Sequence, residues 1–285
     1  MRLCKVLLIP SLFALLAACA GEHSHTDRMA HEHANDEPVA ADAQRAAGKV
    51  LDVESERVVY GQQGDLELSG YLARPAGSQP GEYPGLLVIH EWWGLNENIE
   101  TMARMLAQEG YVALAVDLYG GEVAEDRDSA RSLMQAAMTD SAAGEENLRL
   151  AHDFLESQWS VPTTGAIGWC FGGGWSLQAA LLHPGELDAA IIYYGRLVTD
   201  EAILADLTTP ILGLFGALDG GIPVAQVEAF EAALGKLGKA AEIHVYEDAD
   251  HAFANPSGTR YQPEAARDAW YKALTFLKKN LAATG

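Results

Sequence analysis

The chain predicts an α/β fold in which a mostly parallel central sheet carries helices on both faces. Three observations predict it. Short, continuously apolar runs such as Gly85-Leu86-Leu87-Val88-Ile89 read as strands buried on both faces. Between such runs lie segments with apolar residues at helical spacing, as at Ile99, Met102, Ala103 and Leu106. The two patterns alternate along the chain with no internal repeat, the order that sets parallel strands side by side with helices crossing over them.

The elements follow in order. Val58-Val59-Tyr60, a Gln-Gln-Gly turn and residues 66–72 predict an opening hairpin. Residues 85–89 form the first buried strand, residues 96–109 a helix ended by Gly110, and residues 111–116 the next strand. Helices are expected over 129–138 and 145–159, a short strand over 165–169, and a helix over 172–182 stopped at His183-Pro184. Residues 187–194, 210–216 and 241–246 read as further strands, with helices around 224–237 and 263–281 after the last two. In such a sheet, ligands sit at the carboxyl ends of the strands.

Residues 1–18 stand apart. Met1 to Lys5 is a short positive segment, and residues 6–18 form an apolar stretch broken by Pro10. That stretch falls short of the roughly 20 residues a spanning helix needs, so it reads as a signal peptide. Leu16-Ala17-Ala18-Cys19 resembles a bacterial lipobox, which makes Cys19 the expected lipidation site and first mature residue. An ordinary cleaved signal with a chance cysteine is the plainer alternative. The expected location is exported, lipid-anchored to a bacterial membrane on its periplasmic or cell-envelope face. Residues 19–50 are polar and rich in Ala, Asp, Glu and His, and read as a disordered tether. Its histidines, His23, His25, His31 and His33, suit a divalent metal, but a solvated linker is the expected reading and no metal site is assigned. Residues 51–285 form one catalytic-size domain.

The formal charge of −21 becomes −23 once Arg2 and Lys5 are removed. So acidic a surface repels phosphate backbones and excludes nucleic acid as an expected partner. It offers anionic lipid heads no attraction either, which leaves the anchor as the means of membrane association. No cofactor is expected, and the oligomeric state is left open. With Cys4 discarded and Cys19 acylated, Cys170 is a single thiol without a disulfide partner and is read as a reagent.

Gly168-Trp169-Cys170-Phe171-Gly172 has the form of a nucleophile elbow with cysteine in place of serine. The nucleophile of such an elbow sits on a tight strand-to-helix turn, and side chains two residues away on either side would collide. The turn also sets the thiol at a helix N-terminus, where the dipole favours a thiolate. A small buried cysteine in a glycine-rich turn is the bland alternative. Downstream, the strand at 210–216 leads to Asp219, and the strand at 241–246 leads to the loop histidine His251. The order nucleophile, acid, histidine is that of the α/β-hydrolases. Asp248 and Asp250 are rival acids, ranked lower because they share a loop with His251 and are poorly placed to reach its far nitrogen. His152, His183 and His244 read as structural. Glu91 sits at the end of the first buried strand; a helix-capping role is weakened by Asn96, which is available as the cap.

Glu91-Trp92-Trp93-Gly94, the Gly-x-Cys-x-Gly-Gly elbow, Asp219 and His251-Ala252-Phe253 together resemble the dienelactone hydrolase family, as do Asp117-Leu118-Tyr119 and Tyr193-Tyr194-Gly195. The similarity runs from about residue 57 to residue 282. It implies a Cys-His-Asp triad on an α/β-hydrolase core, with a Glu91 carboxylate that holds the thiol at rest and takes its proton when substrate binds. It also implies an oxyanion hole from the N–H groups of Trp92 and Phe171. Two departures stand out. The family's type enzymes clasp a substrate carboxylate with two arginines; here Gly120-Gly121 and Asn255 stand in those places, and neither Arg127 nor Arg260 matches the pattern. The family's chemistry is expected, but not its anionic lactone.

The expected activity is therefore hydrolysis of small-molecule esters or lactones through a thioester. A thiolate, from an acid of pKa about 8.5, departs more readily than a simple alkoxide, so enol, aryl and lactone esters are favoured and amides are poor. Trp92, Trp93, Tyr119 and Phe253 are expected to form an aromatic wall, with Asn255 completing the substrate-binding set. Three alternatives stand beside this. A catalytically degenerate hydrolase fold serving as a binding lipoprotein is opposed by the intact triad, a serine esterase by the lack of G-x-S-x-G, and a redox sensor by the lack of a resolving cysteine.

Overall fold

The computed structural model describes residues 51–182 and 184–282. The expected signal peptide, Cys19, the histidine-rich tether and the side chain of His183 lie outside the described residues.

The described residues form an eight-stranded sheet in the order β1-β2-β4-β3-β5-β6-β7-β8. β1 (Val53–Gln63) and β2 (Leu66–Pro75) make the predicted hairpin, longer than expected and irregular between Val59 and Gly61. β2 runs antiparallel to β4 (Val112–Val116). From β4 onward the sheet is parallel: β3 (Gly85–Ile89), β5 (Thr164–Trp169), β6 (Ala189–Tyr193), β7 (Ile211–Gly216) and β8 (Ala241–Tyr246). Every residue of β3 to β7 is buried, which is why those strands carry no polar alternation. β8 is an edge strand with half-exposed residues and polar positions at Glu242 and His244.

The helices are α1 (Glu97–Gln108), α2 (Arg127–Thr139), α3 (Ser141–Trp159), α4 (Phe171–Leu182), the single turn α5 (Glu201–Leu204), α6 (Val224–Lys236) and α7 (Pro263–Asn280). Asn96 caps α1, its side chain accepting from Ile99 N–H, and Asp126 closes a capping box on α2 with Ser129. The faces can be read from β6. Ala189, Ile191 and Tyr193 pack in one core cluster with Ala266, Ala269 and Ala273 of α7. Ala190 and Ile192 pack in a second cluster with Leu177 of α4 and Phe230 of α6. Alternate residues of one strand thus bury against helices on opposite faces, as strand geometry requires. Among the described residues no helix is long and apolar enough to cross a membrane.

This parallel arrangement sends the carboxyl ends of β3, β5, β6, β7 and β8 to one edge. Glu91, Cys170, Tyr194, Asp219 and His251 follow those five ends in turn.

Candidate active site

Cys170 joins β5 to α4 with a φ of 56°, a left-handed backbone that side chains other than glycine adopt at a cost. The turn is as tight as the motif demands. A Cβ on Gly168 would lie 2.0 Å from the Gly172 carbonyl oxygen, and one on Gly172 would lie 2.2 Å from that of Ile89. Only glycine fits at either position. Cys170 N–H donates to the Tyr193 carbonyl at 3.0 Å, which ties the elbow to the end of β6. Phe171 is the first residue of α4, so its N–H has no intrahelical acceptor.

His251 is completely buried, and its Nδ1 lies 2.7 Å from Asp219 Oδ2. The other Asp219 oxygen accepts from the N–H groups of Gly221 and Ile222, each at 2.8 Å. Burial alone would raise the Asp219 pKa; the His251 charge and hydrogen bond, with those two backbone donors, outweigh it and hold the carboxyl below its ordinary value. Burial likewise works against a charged His251, but Asp219 and Cys170 overcome it and raise the imidazole well above its ordinary range. Cys170 is close enough to act electrostatically on His251. Since Nδ1 is taken by Asp219, Nε2 is the nitrogen left to serve the thiol. The rival acid Asp250 accepts from the backbone N–H of His251 at 2.6 Å, and the ring nitrogen is met by Asp219.

Glu91, 3% exposed, is set by its neighbours. Asn255 Nδ2 donates to Glu91 Oε2 at 2.8 Å, and Asn255 Oδ1 accepts from Ser257 N–H at 2.9 Å, which fixes the orientation of the amide. Asn255, a member of the expected substrate-binding set, has its carbonyl and one amide hydrogen committed within the protein, and its side chain positions Glu91. His90 holds the same segment from behind: Nε2 accepts from Leu118 N–H at 3.1 Å, so the proton is on Nδ1, which donates to the Glu91 carbonyl at 2.6 Å. Burial pushes the His90 pKa down and keeps the ring neutral in that role.

The aromatic residues divide. Trp92 and Trp93 are buried against each other with ring centroids 5.0 Å apart. Tyr119 packs on His90 at 4.7 Å and Phe171 at 5.5 Å, held by its own N–H donating to Asp117 at 2.8 Å. Beside it opens a cavity of about 230 Å³ lined by Leu66, Leu118, Gly120, Leu133 and Trp175. Phe253 is wholly buried between Tyr194 and Tyr246 and supports Tyr194, whose ring lies 5.2 Å from that of His251. The Arg260 guanidinium, which matched no motif, is close enough to act electrostatically on Tyr194. His152 is buried on α3 and His244 lies partly buried on β8. His152, Asp153 and Glu156 bring three ligand atoms within 4.8 Å of one another, but Asp153 is paired with Arg149, and the group belongs to α3 rather than to the strand ends.

Sequence reasoning missed two residues here. His90 gave no signal, since a histidine at a strand end says nothing of its partners. Tyr194 belongs to a run that carries the family resemblance, but that resemblance assigned it no role; its position beside the elbow gives it one.

The Dienelactone hydrolase family profile matches residues 68–281. A relative in Yersinia pestis named "Putative carboxymethylenebutenolidase" is 32% identical over 236 residues, covering 76% of this chain and 85% of its own length. Another of that name in Saccharolobus solfataricus is 31% identical, covering 79% and 98%. Among solved structures, a "Putative Dienelactone Hydrolase" from Klebsiella pneumoniae superposes with a TM-score of 0.72 at 30% identity, covering 80% of this chain and 99% of that one. The fold is that of the α/β-hydrolases, and the chain belongs to the dienelactone hydrolase family.

Proposed function

We propose that this chain is a carboxylic ester hydrolase that cleaves activated esters or lactones through Cys170, His251 and Asp219 by way of a thioester. One observation carries the reading: a cysteine on a strained strand-to-helix turn acts electrostatically on a buried histidine, one of whose ring nitrogens lies 2.7 Å from a buried aspartate. That is the geometry nucleophilic acyl transfer needs.

In the mechanism, the thiol proton of Cys170 passes to Glu91 and the thiolate attacks the ester carbonyl. The N–H groups of Phe171 and Trp92 receive the resulting oxyanion. The carbon–oxygen bond breaks, and the leaving group departs as a stabilised enolate or phenolate. Water then yields a proton to His251 as its oxygen adds to the thioester. The sulfur leaves as thiolate and regains its proton from Glu91, and His251 passes the proton taken from water to the departed enolate or phenolate through solvent; Asp219 stabilises the imidazolium while it holds that proton. A neutral substrate is favoured, since Gly120 and Asn255 replace the two arginines that the family resemblance leads one to expect, and the cavity that Gly120 lines carries the acidic Glu122 and Asp140 among mostly apolar residues. The signal segment and Cys19 complete the proposal: an exported lipoprotein held to a membrane by its acyl anchor alone.

Hydrolysis of p-nitrophenyl acetate by the wild type, Cys170→Ala and Cys170→Ser tests the chemistry. Turnover abolished by Cys170→Ala and by prior alkylation supports it. Turnover surviving both places the nucleophile elsewhere, and a wild type inert to every activated ester favours a binding lipoprotein. Fractionation of the full chain and its Cys19→Ser variant tests the anchor, which predicts that only the former enters the detergent phase.

A further inference from the structure

Tyr194 follows β6 at the point where that strand meets the elbow. Its neighbour Tyr193 accepts the Cys170 N–H, and a Cβ on Gly195 would lie 2.3 Å from the Gly173 carbonyl carbon, so no slack separates this segment from α4. Tyr194 itself has a φ of 37° and is pinned by its N–H donating to the Leu214 carbonyl at 2.8 Å. Its ring is fixed between His251 and Phe253, at 5.2 and 5.3 Å. The side chain is 1% exposed, yet its hydroxyl has no hydrogen-bond partner among the described residues.

A buried hydroxyl with no partner is costly, and natural cores seldom retain one without a use. Replacing Tyr194 by phenylalanine would relieve that cost, so folding alone does not account for the oxygen. Its surroundings give a reason. Burial, and after it the negative charges of Glu91 and Cys170, hold the phenol well above its ordinary pKa. The hydroxyl is therefore neutral at any working pH and can donate a hydrogen bond, but it cannot serve as a base.

We propose that the Tyr194 hydroxyl donates a hydrogen bond to the leaving-group oxygen of the ester bound at Cys170. The inference rests on the function proposed above. The carbonyl oxygen is already provided for by two backbone donors. The leaving oxygen of an acyl-transfer intermediate departs on the side of the imidazole, and Tyr194 stands beside that imidazole, its ring 5.2 Å from that of His251. No proton changes hands: the donor stabilises charge building on the oxygen as the carbon–oxygen bond lengthens. A substrate that gains from this is an ester whose leaving group is only moderately stabilised, such as a phenyl or enol ester. A leaving group as good as p-nitrophenolate gains little.

The test is kcat/KM of the wild type and Tyr194→Phe on a series of aryl acetates of rising leaving-group pKa, with thermal melting of both proteins. The expected result is a penalty near unity for p-nitrophenyl acetate that grows to about ten- to a hundredfold for phenyl acetate, the range for losing one transition-state hydrogen bond. The melting temperature should be unchanged or raised. A loss equal for all leaving groups, no loss for any, or a lowered melting temperature overturns the proposal while leaving the triad in place. A wild type inert to the whole series, or a Cys170→Ala variant as active as the wild type, fails the triad itself and this inference with it.

Discussion

Asn255→Asp is the substitution that most directly interrogates Glu91. Asn255 Nδ2 lies 2.8 Å from Glu91 Oε2, and its other end accepts from Ser257 N–H. Aspartate is nearly isosteric. One carboxylate oxygen keeps the Ser257 bond, so the loop retains its shape, while the other replaces an amide donor with a second acceptor facing Glu91. Two unit charges about 4 Å apart repel by on the order of 4 kcal/mol at the effective permittivity of about 20 usual for proteins. That is close to a thousandfold in an ionisation equilibrium. Carboxylates placed so closely share a proton rather than both ionise.

If Glu91 accepts the thiol proton, a carboxyl that already holds one is blocked. The expected outcome is a kcat/KM for p-nitrophenyl acetate that falls up to about a thousandfold at the acid end of the profile and recovers as pH rises and the shared proton leaves. Asn255→Ala is the control. It removes the hydrogen bond without adding charge and should cost about 1.5–3 kcal/mol at all pH values, in keeping with a bond to a charged group. Steady-state rates between acid and mildly alkaline pH distinguish the two. A wild-type profile for Asn255→Asp, or the same pH-independent loss in both variants, would refute the role given to Glu91.

Two further perturbations bear on the elbow and the triad. Gly172→Ala puts a Cβ 2.2 Å from the Ile89 carbonyl oxygen and 2.6 Å from that of His90, so the turn must open by about 1 Å, at about 1–3 kcal/mol in urea unfolding and about a hundredfold in kcat; undiminished activity would show that the turn has room to spare. Asp219→Asn should lower stability at neutral pH by on the order of 3 kcal/mol, the scale for breaking a buried pair. Because the Asp219 carboxyl is held below its ordinary value, its contribution is present above the ordinary carboxylate range and is lost as pH falls through the lowered pKa. His251 is raised, so its share is full below its ordinary pKa and is lost as pH climbs through the raised one. The gap between wild type and variant should be widest between those limits, and a gap that widens in acid would reverse the assignment.

Much of this fold was legible because burial on both faces removes polar residues from a strand. Gly85-Leu86-Leu87-Val88-Ile89 has no alternative reading, and β3 covers those five residues. Where exposure returns, the signal weakens. β1 begins with Glu54, Glu56 and Arg57 on an edge, so its first half carried no apolar run, and α5 is a single turn that gives no period. α3 begins at Ser141, four residues ahead of the predicted start, and holds Gly144 in its first turn. That glycine is required, since a Cβ there would lie 2.4 Å from the ring of Trp175 on α4. In the site, what was legible was whatever a strand end and a motif fix locally, namely the places of Cys170, Asp219 and His251. The hydrogen bond between Asn255 and Glu91 joins residues 164 apart and exists only once the sheet order is known. The two bonds of His90 and the buried hydroxyl of Tyr194 are of the same kind.

That distinction bears on substrate charge, where sequence and structure pull differently. Gly120 and Asn255 leave no cation at the two places where the family resemblance implies arginine, and an anionic ester would meet the Glu91 carboxylate in a chain of formal charge −21. Yet the loop after His251 still brings Arg260 within electrostatic range of Tyr194. A guanidinium there acts as a point of positive potential rather than a bidentate clamp, so it offsets Glu91 without selecting a carboxylate. Comparing p-nitrophenyl butyrate with the mono-p-nitrophenyl ester of succinic acid isolates one negative charge on a similar acyl chain. The neutral ester should have the higher kcat/KM in the wild type. Arg260→Gln should widen that preference by raising KM for the anionic ester alone, and added salt should narrow it by screening. A wild type that prefers the succinate ester, and loses the preference in Arg260→Gln, would show that one arginine from a different position does the work of two.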